Sequence, residues 1–318
     1  MFLLVYVDDI LLVSASSSEL DIVTDDLKRE FEVTCLGDVC HFLGMEIRRV
    51  DNTYTIRLQS YINKLLNVHG MSEAKPVKTP MDPYYIKAEE NSELLKDVSK
   101  YRSVVESLLY LSVVARPDIA NSAAILGRKF AAPTEQDWVA AKRVMRYLKG
   151  TIRYSLRLGG AEKQALLGFS DADWAGDVTS RRSTSGFVFN FGGGTISWAS
   201  RGQNSVTLSS MEAEYVALSE ACQEAIWLRQ LLSDFGEHQE VATTIREDNQ
   251  GCIAFVKTER VNRRSKHIDT RQKFVQELCS TGMITLEYCP TDQMAADILT
   301  KPLGPQKHER FLSTLGLE

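Results

Sequence analysis

The chain has 318 residues, 44% hydrophobic and 25% charged, with a formal net charge of −5. That balance excludes wholesale disorder and leaves room for two domains, each with a core of its own. An acidic chain that binds nucleic acid must gather its basic groups locally, because phosphate contacts supply most of such affinity. Six scattered cysteines (Cys35, Cys40, Cys222, Cys252, Cys279 and Cys289) form no Cys-x-x-Cys pair, the usage of a reduced protein without structural zinc. The first thirteen residues are apolar but hold Asp8 and Asp9 and follow no positive region, so a signal peptide is not expected. Nothing else is long enough to span a bilayer. The expected setting is therefore intracellular, cytoplasmic (including virus-like particles) or nuclear, with no membrane partner.

In chain order, residues 2–7 and 10–13 are two short β-prone runs flanking Asp8-Asp9, which predicts a hairpin with two carboxylates at its tip. Ser16-Ser17-Ser18 with Glu19 reads as a helix cap, and Leu20, Val23 and Leu27 follow at helical spacing. Residues 42–47 and 54–58 predict strands around a turn at Asp51-Asn52, and residues 60–66 a helix. Pro76, Pro80 and Pro83 then break regular structure, making 72–98 the loosest expected stretch. Residues 101–148 are helical in pattern, punctuated by Pro117 and Pro133. The basic helix at 142–149 has two readings: one turns it toward a nucleic-acid duplex, the other packs its apolar side and leaves its charges wet.

Gly150 and Gly159-Gly160 bracket the expected boundary with a second domain. Beyond it the apolar run 165–169 closes on Ser170-Asp171-Ala172-Asp173-Trp174-Ala175-Gly176-Asp177, the pattern of a buried strand that delivers carboxylates to its exposed end. Phe187, Phe189 and Phe191, then Ile196 and Trp198, alternate across a glycine-rich turn and predict an antiparallel pair, with 206–208 prolonging its second strand. Ser209-Ser210 cap a long helix whose apolar seam is Ala217, Ala221, Ala225, Leu228 and Leu232. Residues 243–247 and 283–288 read as strands, and 250–256, 267–278 and 294–300 as helices. Three antiparallel strands followed by strand–helix alternation make a mixed α/β sheet with helices on its faces.

Glu212 and Glu214, Glu247 and Asp248, and Asp297 each lie at or beside the start of an apolar periodic segment, so four carboxylates can converge with Asp171 among them. Such groups repel unless cations neutralise them, and an all-oxygen donor set selects Mg²⁺ or Mn²⁺ over zinc. Basic groups concentrate at 260–267, with Arg181, Arg182 and Arg201 in support; from charge alone that run is equally a solvated loop.

The phrases "SDADWAGD", "RRSTSGFVFNFGGGTISWASRGQNSVTLSSMEAEYVAL", "EDNQGCI", "RSKHIDTRQKFVQE" and "QMAADILTKPL" closely resemble the ribonuclease H domain of copia-type retrotransposon Pol polyproteins. "YVDD", "FLGMEI", "ARPDIA" and "AAKRVMRYLKGT" are similar to the later part of the same family's reverse transcriptase. The resemblance implies an α/β (α+β) chain: a truncated reverse-transcriptase palm and thumb remnant at 1–160, a ribonuclease H-like mixed five-stranded sheet with flanking helices at 161–304, and a helical tail at 305–318. It implies Asp171, Glu214, Asp248 and Asp297 as catalytic and metal-binding residues, holding two Mg²⁺ ions that Mn²⁺ replaces, and hydrolysis of the RNA strand of an RNA–DNA hybrid. Glu214 is preferred to Glu212 on the family's "AEY" phrase, and Asp297 to Asp292 on "AD-x-LTK"; Asp173, Asp177 and Glu247 receive no ligand role. Asp8 and Asp9 correspond to two of the three polymerase aspartates. The third lies on an earlier strand, so complete polymerase activity is not expected of this chain alone.

Arg182, Ser183, Gln250, Arg263, Arg264 and Lys266 are candidate nucleic-acid contacts, with Thr184 and Ser210 beside them; Arg182, Ser183, Thr184, Ser210 and Gln250 read at least equally well as turn or cap residues. The expected partners are an RNA–DNA hybrid, a template–primer duplex and the rest of the Pol polyprotein. One departure stands out: cellular ribonucleases H carry a histidine in the loop before the last aspartate, and residues 289–294 contain none. His267 belongs to the "KHID" phrase on an earlier helix. The alternative to an active nuclease is a catalytically silent fragment that only binds nucleic acid.

Overall fold

The computed structural model describes residues 1–85, 92–160, 165–257 and 266–318, and of 266–269 only the backbone. At the start β1 (Phe2–Tyr6) and β2 (Asp9–Val13) form an antiparallel hairpin. Tyr6 pairs with Asp9, which leaves Val7 and Asp8 as the turn, Val7 at φ 54°. All five β1 residues are exposed, and α1 (Ser17–Glu30) buries none of its own. The ring of Phe2 carries the hairpin onto a later part of the chain, standing edge-on to Phe235 with 4.9 Å between centroids.

A four-stranded antiparallel sheet follows, ordered β3 (His41–Phe42), β4 (Met45–Val50), β5 (Thr53–Arg57) and β6 (Leu156–Gly159). The single strand expected at 42–47 is two strands. Leu43 and Gly44 adopt φ 48° and 80°, a left-handed two-residue turn that folds β3 back on β4. Gly44 suits the turn twice over, because a Cβ there would also lie 2.9 Å from the Tyr110 hydroxyl. That hydroxyl donates to Leu43 O at 3.1 Å. After Leu58, α2 (Gln59–Val68) buries Ile62, Leu65 and Leu66.

Among its described residues before Val98 the proline-rich stretch holds no α-helix or named strand, as its composition requires, yet it is anchored. Thr79, Met81 and Tyr85 are buried, and the Tyr85 hydroxyl donates to Asp137. Beyond it come α3 (Val98–Val114), a 3-10 turn at Pro117–Ile119, α4 (Ala120–Gly127) and α5 (Glu135–Gly150). The basic end of α5 follows the packing reading. Val144, Met145, Tyr147 and Leu148 are buried, while Arg143 and Arg146 reach back to Thr79 Oγ1 (3.0 Å) and Lys75 O (2.6 Å). Beneath these helices lies a buried ion pair: Arg116 donates to both Asp118 oxygens at 2.9 and 2.7 Å and to Thr151, and Tyr147 donates to Asp118 at 2.7 Å.

The second sheet has five strands in the order β11-β10-β7-β8-β9: β7 (Leu167–Asp173), β8 (Thr184–Phe191), β9 (Gly194–Gly202), β10 (Thr243–Glu247) and β11 (Ile284–Tyr288). The first three are antiparallel, and β10 and β11 run parallel to β7 and to each other. β9 stops at Gly202 instead of extending through 206–208. Gln203 is buried there, its amide donating to Ser185 Oγ and Ala213 O, and this turns the chain into α6 (Ser210–Asp234). The seam of α6 is buried as its spacing requires, and its alanines let it lie close to the sheet. α7 (Gln250–Lys257) and α8 (Lys266–Ser280) lie with it, and α9 (Asp297–Thr300) and α10 (Pro305–Thr314) close the chain.

Period-two alternation sends the sheet's side chains into two cores. Phe187 and Phe189 join the core under α6, while Phe169 and Val188 join one built from α2 to α5, α9 and α10. This second body holds both Leu156 and Phe169, so it crosses the boundary expected near residue 160, and it takes in Phe311, Leu312 and Leu317 of the tail.

Candidate active site

Asp171 lies on β7, the central strand, opposite Gly186 of β8. Gly186 is there for space: a Cβ would fall 2.7 Å from Thr300 Cγ2 and 2.9 Å from Leu299 Cβ, so only glycine lets α9 rest on the sheet. The Thr300 hydroxyl then donates to the Asp171 carboxylate. Glu214 comes from the second turn of α6. Glu212 is engaged in the cap, accepting from Leu208 N at 2.8 Å while its own N–H donates to Ser209 Oγ at 3.2 Å, and Glu214 turns inward. Asp248 follows the last residue of β10, and Asn249 Oδ1 accepts from Cys252 N at 3.0 Å to start α7.

These three elements bring Asp171, Glu214 and Asp248 together, each offering an oxygen within 4.8 Å of the others. Asp171 and Glu214 are buried and Asp248 is half-buried. Burial pushes Glu214 up to about 11, helped by Glu247, Asp171 and Asp248. Burial likewise raises Asp171 to about 7, with Lys301 pulling the other way and Asp297 adding to the rise. Glu214 Oε2 has no hydrogen-bond partner among the described residues. An all-carboxylate donor set, crowded enough to favour protonation and with an orphaned oxygen, fits a hard divalent cation.

Asp297 is fully buried at the start of α9 but is held differently. Lys301 Nζ lies 2.6 Å from its Oδ1 and 3.7 Å from Asp171 Oδ2, and Lys307 of α10 pairs with its other oxygen. Burial opposes the charge on Lys301, yet Asp171 and Asp297 outweigh it and raise its pKa. The fourth carboxylate thus joins the cluster through an ammonium group.

The neighbouring acids divide by environment. Asp177 accepts from Thr179 N and Ser180 N and builds the turn after β7, and Asp292 pairs with Arg310 at 3.2 Å. Asp173 is raised by burial, against Lys301. Glu247 is the residue that sequence reasoning undervalued: it is fully buried beside the cluster, one oxygen accepting from Asn249 N at 3.1 Å and the other unpartnered among the described residues. Its alternate position on β10 was the available signal, since Thr243 and Ile245 share its buried face.

Of the candidate nucleic-acid contacts, Arg182 and Gln250 are exposed. Ser183 is not available: it is fully buried, its hydroxyl 2.8 Å from Thr207 Oγ1 and accepting from Ala175 N. Arg263 and Arg264 lie outside the described residues, as do the side chains of Lys266 and His267. Asp8 and Asp9 sit exposed at the first hairpin. Among the described residues, Asp171, Glu214 and Asp248 make the one group of three potential ligands.

Residues 1–83 match the family model for reverse transcriptase (RNA-dependent DNA polymerase). The whole chain is 35% identical to the retrovirus-related Pol polyprotein from transposon TNT 1-94 of Nicotiana tabacum, and it spans 24% of that relative's length. Over 70% of its length it is 32% identical to the putative transposon Ty5-1 protein YCL074W of Saccharomyces cerevisiae, covering 73% of that protein. The chain belongs to the copia-type retrotransposon Pol family. Its fold is similar to that of the foamy viral protease-reverse transcriptase solved in complex with dsDNA, at 14% identity and a TM-score of 0.51, over 91% of this chain and 55% of that one. This copia-type Pol fragment joins reverse-transcriptase sequence to a ribonuclease H-like sheet. Among its described residues no helix is long and apolar enough to cross a membrane.

Proposed function

We propose that this Pol fragment is a metal-dependent ribonuclease that hydrolyses the RNA strand of RNA–DNA hybrids. The observation that carries the reading is the convergence of Asp171, Glu214 and Asp248 from a strand, a helix and a strand end. Asp171, Glu214 and Asp248 would hold Mg²⁺, or Mn²⁺ in its place, with Asp297 as the fourth carboxylate and two ions in all. When bound, the ions supply an activated water and neutralise charge at the leaving 3′ oxygen. The chain's own part is to orient that set: Thr300 fixes Asp171, the Ser209 cap fixes the first turn of α6, and Lys301 and Lys307 hold Asp297. Arg182 and Gln250, both exposed, would meet the backbone of a hybrid read by shape and 2′-hydroxyls.

A second reading, a chain that binds nucleic acid without cutting it, draws on the two lysines that already neutralise Asp297. Cleavage of a labelled hybrid with Mg²⁺, run beside Asp248→Asn, separates the two. Cleavage by the parent that vanishes in the variant supports the nuclease; a folded parent that binds hybrid and leaves it intact supports the binder.

A further inference from the structure

Where the helices α3 and α4 meet the five-stranded sheet there is a cavity of about 700 Å³, and no residue of the carboxylate cluster lines it. Arg128 enters it from the end of α4, Arg201 from β9 and Arg271 from α8, opposite Ser219, Glu220 and Gln223 of α6. Three arginines from three elements line the cavity beside one carboxylate, Glu220, and Arg128 also interacts with Asp173 and Asp177 on its other side. Two of the arginines are held. Arg128 donates to Thr184 Oγ1 at 3.2 Å and lies against Gly202, where a Cβ would come within 3.4 Å of its guanidinium. Arg201 sits over the Phe187 ring, 5.8 Å from its centre.

The opposite wall holds polar atoms in want of a partner. Ser219 Oγ and Glu220 Oε2 are buried with no hydrogen bond among the described residues. Burial raises Glu220, while Ser185, Arg271 and Arg201 draw it back down. The three arginines, with Asn204 and Gln223 beside them, suit an occupant that accepts several guanidinium hydrogen bonds, which is the chemistry of a phosphate oxygen.

We infer that this cleft seats a backbone phosphate of the nucleic-acid strand, giving the bound duplex an anchor at the seam between the reverse-transcriptase helices and the ribonuclease H-like sheet. The inference rests on the nucleic-acid reading above and adds an anchor apart from the carboxylates. A phosphate there would bridge α4, β9 and α8, so binding would also clamp the two halves of the chain together.

The test is the affinity of the full chain for a fluorescently labelled RNA–DNA hybrid in EDTA, measured at several KCl concentrations. Arg128→Gln, Arg201→Gln and Arg271→Gln are compared with the parent and with Arg48→Gln on β4. The expected result is a several-fold loss for each cleft variant. The slope of log K against log salt should become shallower by about 0.7 to 0.9 for each lost phosphate contact, with Arg48→Gln unchanged. Cleft variants that keep the parent's affinity and slope, while the parent binds hybrid, overturn the cleft and leave the nuclease reading standing. A folded parent that does not bind hybrid overturns both.

Discussion

Lys301 Nζ lies 2.6 Å from Asp297 and 3.7 Å from Asp171, so an ammonium group from the chain itself stands between two of the four carboxylates. It neutralises charge that would otherwise oppose folding of α9 onto the sheet. Replacing it by methionine is expected to destabilise the metal-free protein by about 1 to 3 kcal/mol, less than the roughly 3 to 5 kcal/mol of a fully buried broken pair, because a third of the lysine side chain is exposed. The same change should strengthen Mn²⁺ binding measured by calorimetry. A variant with unchanged melting temperature in EDTA and unchanged Mn²⁺ affinity would show that Lys301 does neither.

Titration of the cluster gives stability a pH dependence whose sign is fixed. Asp171 and Glu214 are carboxylates raised to about 7 and about 11, so the folded form holds protons that the unfolded chain releases near pH 4. Their contribution is fully present below that ordinary value and is lost as pH rises through the folded values. In EDTA the melting temperature should therefore fall between pH 6 and pH 9, and saturating Mg²⁺ should flatten the fall. A metal-free melting temperature that climbs over that range would contradict the raised values.

Gly186→Ala tests the contact that seats α9. The added methyl would press on Thr300 and Leu299, and overpacking of that kind costs about 1 to 3 kcal/mol. Because Thr300 holds Asp171 and α9 carries Asp297, hybrid cleavage should fall more steeply than stability does. Urea denaturation beside a cleavage assay measures both; equal activity in the folded variant would mean that the position of α9 does not matter to the chemistry.

The buried pair of Arg116 and Asp118 has no part in the site, and Asp118→Ala should show it. The change strands a guanidinium that is 2% exposed, which costs about 3 to 5 kcal/mol. Urea midpoints would detect that shift readily. Arg116→Met with Asp118→Leu should recover much of the loss, since removing both charges leaves neither unpaired.

The carboxylates that meet were legible in the sequence because each follows a local rule: a strand that ends in acids, a capped helix start, and a strand-to-helix turn. Local pattern narrows the candidates to Asp171, Glu212 or Glu214, and Glu247 or Asp248, and the family's phrases make the choice of Glu214 and Asp248. What local pattern does not reveal is partnership at a distance. Lys301 carries no role in the sequence pattern, Glu247 receives no ligand role beside Asp248, and Ser183 reads as a contact or a turn residue, until packing fixes their neighbours. The break at Leu43-Gly44 is hidden for a related reason: Phe42, Leu43, Met45 and Ile47 read as one β-prone run around Gly44, and only the left-handed backbone divides it.

The core that unites Leu58 with Leu317 has a temporal consequence. A chain emerging from the ribosome makes α2 to α5 long before α9 and α10 exist to cover them, so those helices must wait with apolar surface bared. Contacts of such long sequence separation slow folding. Helices α2 to α5 should therefore acquire their final packing only after the five-stranded sheet has formed, when the later helices α9 and α10 close over them.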